Sequence, residues 1–108
     1  MPGARRPRPK VIGDLSIYPI GEGTSLGTYV RAAFRAMKKV RGIRLAPSAM
    51  STVIEADSLE AMLQAIRQAH AAVLRMGARR IAIYVRMDHR LDKPETIEYK
   101  LRRVTEGP

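Results

Sequence analysis

Two short clusters in this 108-residue chain group polar side chains in patterns suited to holding a ligand. Thr24 and Ser25 sit where a glycine-rich turn, Gly21, Gly23 and Gly27, meets the start of a helix. Free backbone N–H groups and the helix dipole at such a junction can hold a phosphate or carboxylate, although capping is the commoner use of these hydroxyls. The glycine spacing is not that of a phosphate-binding loop, because no Gly-Lys-Ser or Gly-Lys-Thr follows, and it is not a dinucleotide fingerprint, so nucleotide hydrolysis is set aside. The second cluster is Thr52 and Glu55, flanked by Ser48 and Met50. A buried glutamate needs a partner. Glu55 therefore either meets a ligand or pairs with a nearby arginine, such as Arg86 across a sheet.

Other chemistry finds little footing. The chain has no Cys, which removes disulfides, thiolate metal sites, thiol nucleophiles and redox switches. His70 lies between Ile66 and Leu74 at four-residue steps, on or beside an apolar helix stripe, where a packed, hydrogen-bonded histidine is the default. No second ligand stands at metal-binding spacing on that helix, and His89 is the one other histidine. No nucleophile elbow, metal helix or paired-acid motif is present, so the expectation is a protein that is not an enzyme and needs no cofactor. Asp88, Arg90, Asp92 and Lys93 alternate in sign, as either an inter-subunit charge lattice or a solvated loop would.

The elements that must position these residues follow from periodicity. Apolar residues make up 45% and charged residues 28%, the balance of a globular domain with a core. Residues 1–10 hold Arg5, Arg6, Arg8 and Lys10 among three prolines and read as a disordered basic arm without a signal-peptide core. Setting those four cations apart lowers the net charge of +10 to +6 on residues 11–108, which read as one domain. No run approaches the ~20 apolar residues of a membrane span, and the cytosol is the simplest compartment. From Val11 to Tyr18 the pattern alternates as in a half-buried strand. Leu26, Val30, Ala33, Met37 and Val40 form a helical stripe that Gly42 stops, with Arg31 lying off it. Ile43 to Ser48 and Ser51 to Ala56 read as a hairpin turning near Pro47 to Met50. Asp57 and Glu60 resemble a capping box before a second helix whose stripe is Leu59, Met62, Leu63, Ile66, Val73 and Leu74, closed by Gly77. Arg80 to Asp88 is the last strand, and Asp92, Pro94 and Glu95 begin a terminal helix with Ile97, Leu101 and Val104 on one face.

The order βαββαβ plus a short helix is that of an α+β, ferredoxin-like sandwich: a four-stranded antiparallel sheet with both long helices on one side. Parity puts Ser16, Tyr18, Tyr84, Arg86 and Asp88 on the other, open side, where Ile12 and the tyrosines suit cover by a partner subunit or a ligand. A basic ferredoxin-like sheet also suggests RNA binding. However, Ser51 to Ala56, a central strand in the usual order, has no aromatic residue on which a base could stack, and only 5% of the chain is aromatic.

Much of Leu15 to Lys93 resembles the small prokaryotic thiamine-binding protein family. The stretches that carry the resemblance are Ser16-Ile17-Tyr18-Pro19-Ile20-Gly21, Thr24-Ser25-Leu26 with Tyr29-Val30, and Met50-Ser51-Thr52-Val53-Ile54-Glu55-Ala56. They continue with Ala69-His70-Ala71-Ala72-Val73, Gly77-Ala78-Arg79-Arg80 and Asp88-His89-Arg90-Leu91-Asp92-Lys93. The resemblance implies a non-catalytic subunit that binds thiamine or a related hydroxymethylpyrimidine in a crevice of a homodimer or homotetramer, or senses it for a separate enzyme or transporter. Ligand contacts would come from Thr24, Ser25, Ser48, Met50, Thr52 and Glu55, with the carboxylate offsetting a thiazolium charge. Tyr18, Tyr84, Arg86, Asp88, Arg90 and Asp92 would lie at the oligomer interface. Relatives commonly have glycine near Met50, where this chain has Ala49 and Ser51.

Overall fold

Alternating apolar residues and glycine-stopped helical stripes resolve into seven elements in the computed structural model, which describes residues 10–107. These are β1 (Val11–Pro19), α1 (Gly27–Met37), β2 (Ile43–Pro47), β3 (Thr52–Ala56), α2 (Leu59–Arg75), β4 (Ile81–His89) and α3 (Ile97–Thr105). The strands form one antiparallel sheet in the order β2-β3-β1-β4, the α+β ferredoxin-like topology expected from the sequence. Most of the basic arm, residues 1–9, lies outside the described residues. Lys10 does not: it leads into β1 and donates a 2.7 Å hydrogen bond to Asp57.

Two-residue alternation sends Val11, Leu15 and Ile17 of β1 and Ile54 and Ala56 of β3 into a core completed by Ala33 and Met37 of α1 and Met62, Ala65, Ala69 and Val73 of α2. The buried face of α2 is thus built largely of alanine. That corrects the expected stripe: Leu59, Leu63 and Leu74 are 39%, 49% and 54% exposed, because small side chains at 65, 69 and 72 form the face turned to the core. His70, expected to pack, is exposed for the same rotational reason.

The caps also differ in detail. Ser58, one residue beyond the expected Asp57, accepts the Ala61 amide at 3.1 Å, while the Asp57 amide donates to the Gly42 carbonyl. Neither Thr24 nor Ser25 caps α1; its N-cap is Leu26, which offers no side-chain acceptor. The turn after α1 tightens through Val40 and reverses at Gly42, whose φ of 78° favours glycine. Thr96 caps α3, so that helix starts beyond Asp92, Pro94 and Glu95. Ile97 is buried, but Leu101 and Val104 of the expected common face are 59% and 83% exposed.

The main departure concerns the sheet's outer side. α3 returns across it, bringing the Ile97 amide to Glu55 and Lys100 to Asp88, so one end of the face expected to stay open is covered.

Gly13 is a point of close approach within the sheet, where a Cβ would lie 2.4 Å from the Arg86 carbonyl oxygen on the neighbouring strand. Backbone has to move to relieve that clash, so Gly13→Ala is expected to destabilise the fold by about 1–3 kcal/mol, read as a lower urea midpoint.

Candidate functional site

The hairpin between β2 and β3 leans toward α1 and leaves a crevice of about 400 Å³ between them, within the ~300–1,000 Å³ of small-molecule sites. Leu15 and Ile17 of the sheet, Val30 and Phe34 of α1, and the hairpin residues from Pro47 to Thr52 contribute to its lining. The turn is fixed by its own serines: the Ser48 amide and hydroxyl both donate to the Ser51 carbonyl, at 2.8 and 2.7 Å. Ser51 then turns its hydroxyl outward to Asp14, at 3.3 Å, while Thr52, the next residue, lines the crevice.

Thr52 is 7% exposed, yet among the described residues its hydroxyl has no hydrogen-bond partner. No sealed polar side-chain atom is left unpaired among them either, so the hydroxyl opens into the crevice. Arg31 is the one charged residue of the lining, and no carboxylate joins it. Of the residues singled out in the sequence, Ser48, Met50 and Thr52 meet here, with Met50 85% exposed. Thr24 and Ser25 are exposed in the loop before α1, outside the lining, although Gly27 just beyond them is part of it. The sequence reading missed Arg31 and Phe34, which lie off the core stripe; the four-residue steps from Gly27 to Arg31 and from Val30 to Phe34 were the available signal.

Glu55 is not in the crevice. Strand alternation puts it on the outer face, 8% exposed, where it accepts from Arg44 at 2.8 Å and from the Ile97 amide at 2.9 Å, with Lys10 at 3.9 Å. Arg44, not Arg86, is therefore its arginine partner, and that guanidinium also holds Glu98 of α3 through two bonds. Burial pushes the Glu55 carboxyl up, but the Arg44 and Ile97 hydrogen bonds and the charges of Arg44 and Lys10 outweigh it and hold the group below the usual range. Hydrogen bonding to Arg44 and to its own backbone brings Glu98 down to about 2.

Across the rest of that face, Arg86 binds Asp14 through bonds of 3.1 and 2.7 Å. Hydrogen bonding to Arg86 lowers the Asp14 carboxyl against the opposing effect of burial. Tyr18 and Tyr84 stack with ring centroids 6.2 Å apart. Asp88 accepts from Lys100, and Arg90 bonds Asp92 at 2.6 and 3.0 Å and reaches the buried Glu95 at 3.2 Å. The sign alternation noticed in the sequence thus includes ion pairs within the subunit that hold the segment leading into α3.

Comparison with known proteins converges on one group. The profile of the thiamine-binding protein family matches residues 13–105. A UPF0045 protein of Methanocaldococcus jannaschii is 38% identical over 97 residues, covering 90% of this chain and 94% of its own length. A UPF0045 protein of Methanothermobacter thermautotrophicus is 35% identical over 97 residues, covering 89% and 97%. The crystal structure of a hypothetical protein of Methanocaldococcus jannaschii superposes with a TM-score of 0.82 at 37% identity, covering 90% of this chain and 97% of that one. A Thermotoga maritima protein given a provisional role in thiamine biosynthesis or salvage shares the fold, with a TM-score of 0.74 at 19% identity over 89% and 99% of the two chains.

The carboxylates on Arg44 titrate below their usual 4.5, so they bind fewer protons folded than unfolded, and the stability they add is present above 4.5 and lost as pH falls toward 2. Glu55→Gln is expected to cost about 1–3 kcal/mol at pH 7, the worth of hydrogen bonds to a charged group, and progressively less as the pH is lowered below 4.5. Urea unfolding across a pH series reads the difference.

Proposed function

The chain belongs to the thiamine-binding protein family, and from that premise we propose that it is a non-catalytic, cytosolic protein that binds thiamine or a related hydroxymethylpyrimidine in the α1–hairpin crevice. The observation that carries the reading is the unpartnered Thr52 hydroxyl opening into a cavity of about 400 Å³. An aminopyrimidine offers donors and acceptors that such a hydroxyl can meet, while the Ser48 hydroxyl at the mouth, its proton committed to the Ser51 carbonyl, can only accept. The Val30 and Phe34 side chains and the Leu15 and Ile17 floor give a flat ring an apolar bed, and Met50 is a flexible cover at the rim. Thr24 and Ser25 stand at the outer end, where the loop enters α1. Glu55 is left out, since its hydrogen bonds hold α3 on the far side of the sheet.

The outer face suits self-association. Tyr84 is 63% exposed with its ring stacked on that of Tyr18, which leaves an aromatic surface on the outer face. A second copy laid on Tyr18, Tyr84, Arg86, Asp88, Arg90 and Asp92 would meet tyrosines bordered by charges of both signs, giving a homodimer or a tetramer of paired dimers.

Calorimetry on the ligand-free protein is expected to show saturable binding of thiamine or hydroxymethylpyrimidine at high micromolar concentration, with Thr52→Val weakening it about fivefold, one neutral hydrogen bond of ~1 kcal/mol. The absence of saturable heat with either compound and with their phosphate esters would overturn the ligand assignment. Sedimentation is expected to show a dimer or tetramer that Tyr84→Arg shifts toward smaller species; a monomeric parent protein sinks the interface.

A further inference from the structure

We propose that the crevice takes its ligand as a phosphomonoester, with Arg31 and the first turn of α1 receiving the phosphoryl group; this rests on the small-molecule reading above and specifies the charge of its ligand. Three features of the cavity point the same way. Arg31 is the one formal charge of the lining and makes no ion pair among the described residues. Glu55, the carboxylate the sequence offered for a thiazolium, is elsewhere, committed to α3 on the opposite face.

The start of α1 is the second feature. Its N-cap, Leu26, supplies no side-chain acceptor, and its first turn holds no acidic residue. The Tyr29 and Val30 amides return to the Leu26 carbonyl, whereas those of Gly27 and Thr28 find no acceptor among the described residues. Gly27 lines the cavity, so the positive end of the helix dipole and Arg31, one turn on, lie along one wall.

Thr52 is the third feature, and it comes from a different element. Its hydroxyl, on a residue 7% exposed, opens into the same cavity from the hairpin side. A ligand that spans the crevice can therefore give an uncharged polar group to Thr52 and an oxyanion to α1. Free thiamine is a cation, and placing it beside an unpaired guanidinium without a carboxylate sets like charges together. A phosphoryl group carries about −1.5 to −2 at pH 7 and accepts hydrogen bonds in pairs from an arginine fork. The net charge of +10 acts in the same sense by drawing anions to the surface.

The test is calorimetry of the full chain with thiamine, thiamine monophosphate, hydroxymethylpyrimidine, its phosphate ester, and inorganic phosphate. Each ester is expected to bind at least about tenfold more tightly than its parent alcohol, ~1.4 kcal/mol, and added salt should narrow the gap. Arg31→Gln should lower ester affinity about tenfold, with Arg31→Lys retaining part of it; unchanged unfolding midpoints show that both variants fold. Parent alcohols binding as well as the esters would overturn the phosphoryl assignment and leave the binding-protein reading standing. Inorganic phosphate as tight as the esters, or esters indifferent to Arg31→Gln, would also overturn it. No binding of any compound would remove both.

Discussion

Glu55 is a carboxylate withdrawn from water, and its need for partners organises the outer half of the molecule. Arg44 from the edge strand, the first amide of α3 and the nearby Lys10 together supply them. Because Arg44 is shared with Glu98, one guanidinium ties the sheet to the terminal helix from both sides. Removing any one member leaves a charge or an amide under-satisfied, and in a buried setting that costs more than the pair gains over a neutral replacement. The position of α3 is thus set by polar satisfaction more than by apolar burial, consistent with Ile97 being its one buried hydrophobic residue.

The same alternation that exports Glu55 delivers Thr52 to the opposite side. Three residues apart on one strand means opposite faces, so the two cannot share a ligand. The sheet is a partition between two surfaces of different chemistry: a hydroxyl-rimmed, carboxylate-free crevice under α1, and an ion-paired tyrosine face on the far side. The crevice and the tyrosine face can accordingly be altered separately, since no side chain of Tyr18, Tyr84 or Arg86 enters the crevice lining.

Most of the architecture was legible because strand parity and glycine stops are local signals. The four strands, two long helices and terminal helix lie within a few residues of where periodicity puts them, and right-handed crossovers place both long helices on one face. Errors arose where a local rule has two solutions. Asp57 and Ser58 can each cap α2, and the choice went to Ser58 while Asp57 met Lys10. The leucines of α2 suggest one buried stripe, yet the alanines beside them form the face turned to the core. Arg31 and Phe34 were passed over since a crevice needs residues off the core stripe, which periodicity scores as surface.

Element order, the parity of each strand and the family can all be read along the chain, because they depend on neighbours a few residues apart or on matched stretches. Three-dimensional packing is what brings Arg44 and not Arg86 to Glu55, lays α3 over part of the outer face, and puts Arg31 in one cavity with Thr52. These pairings join residues separated by 11 to 54 positions, such as Arg44 with Glu55 and with Glu98. No periodic pattern encodes them. They are fixed when the register of the sheet and the packing of the helices bring unsatisfied polar groups within reach of one another.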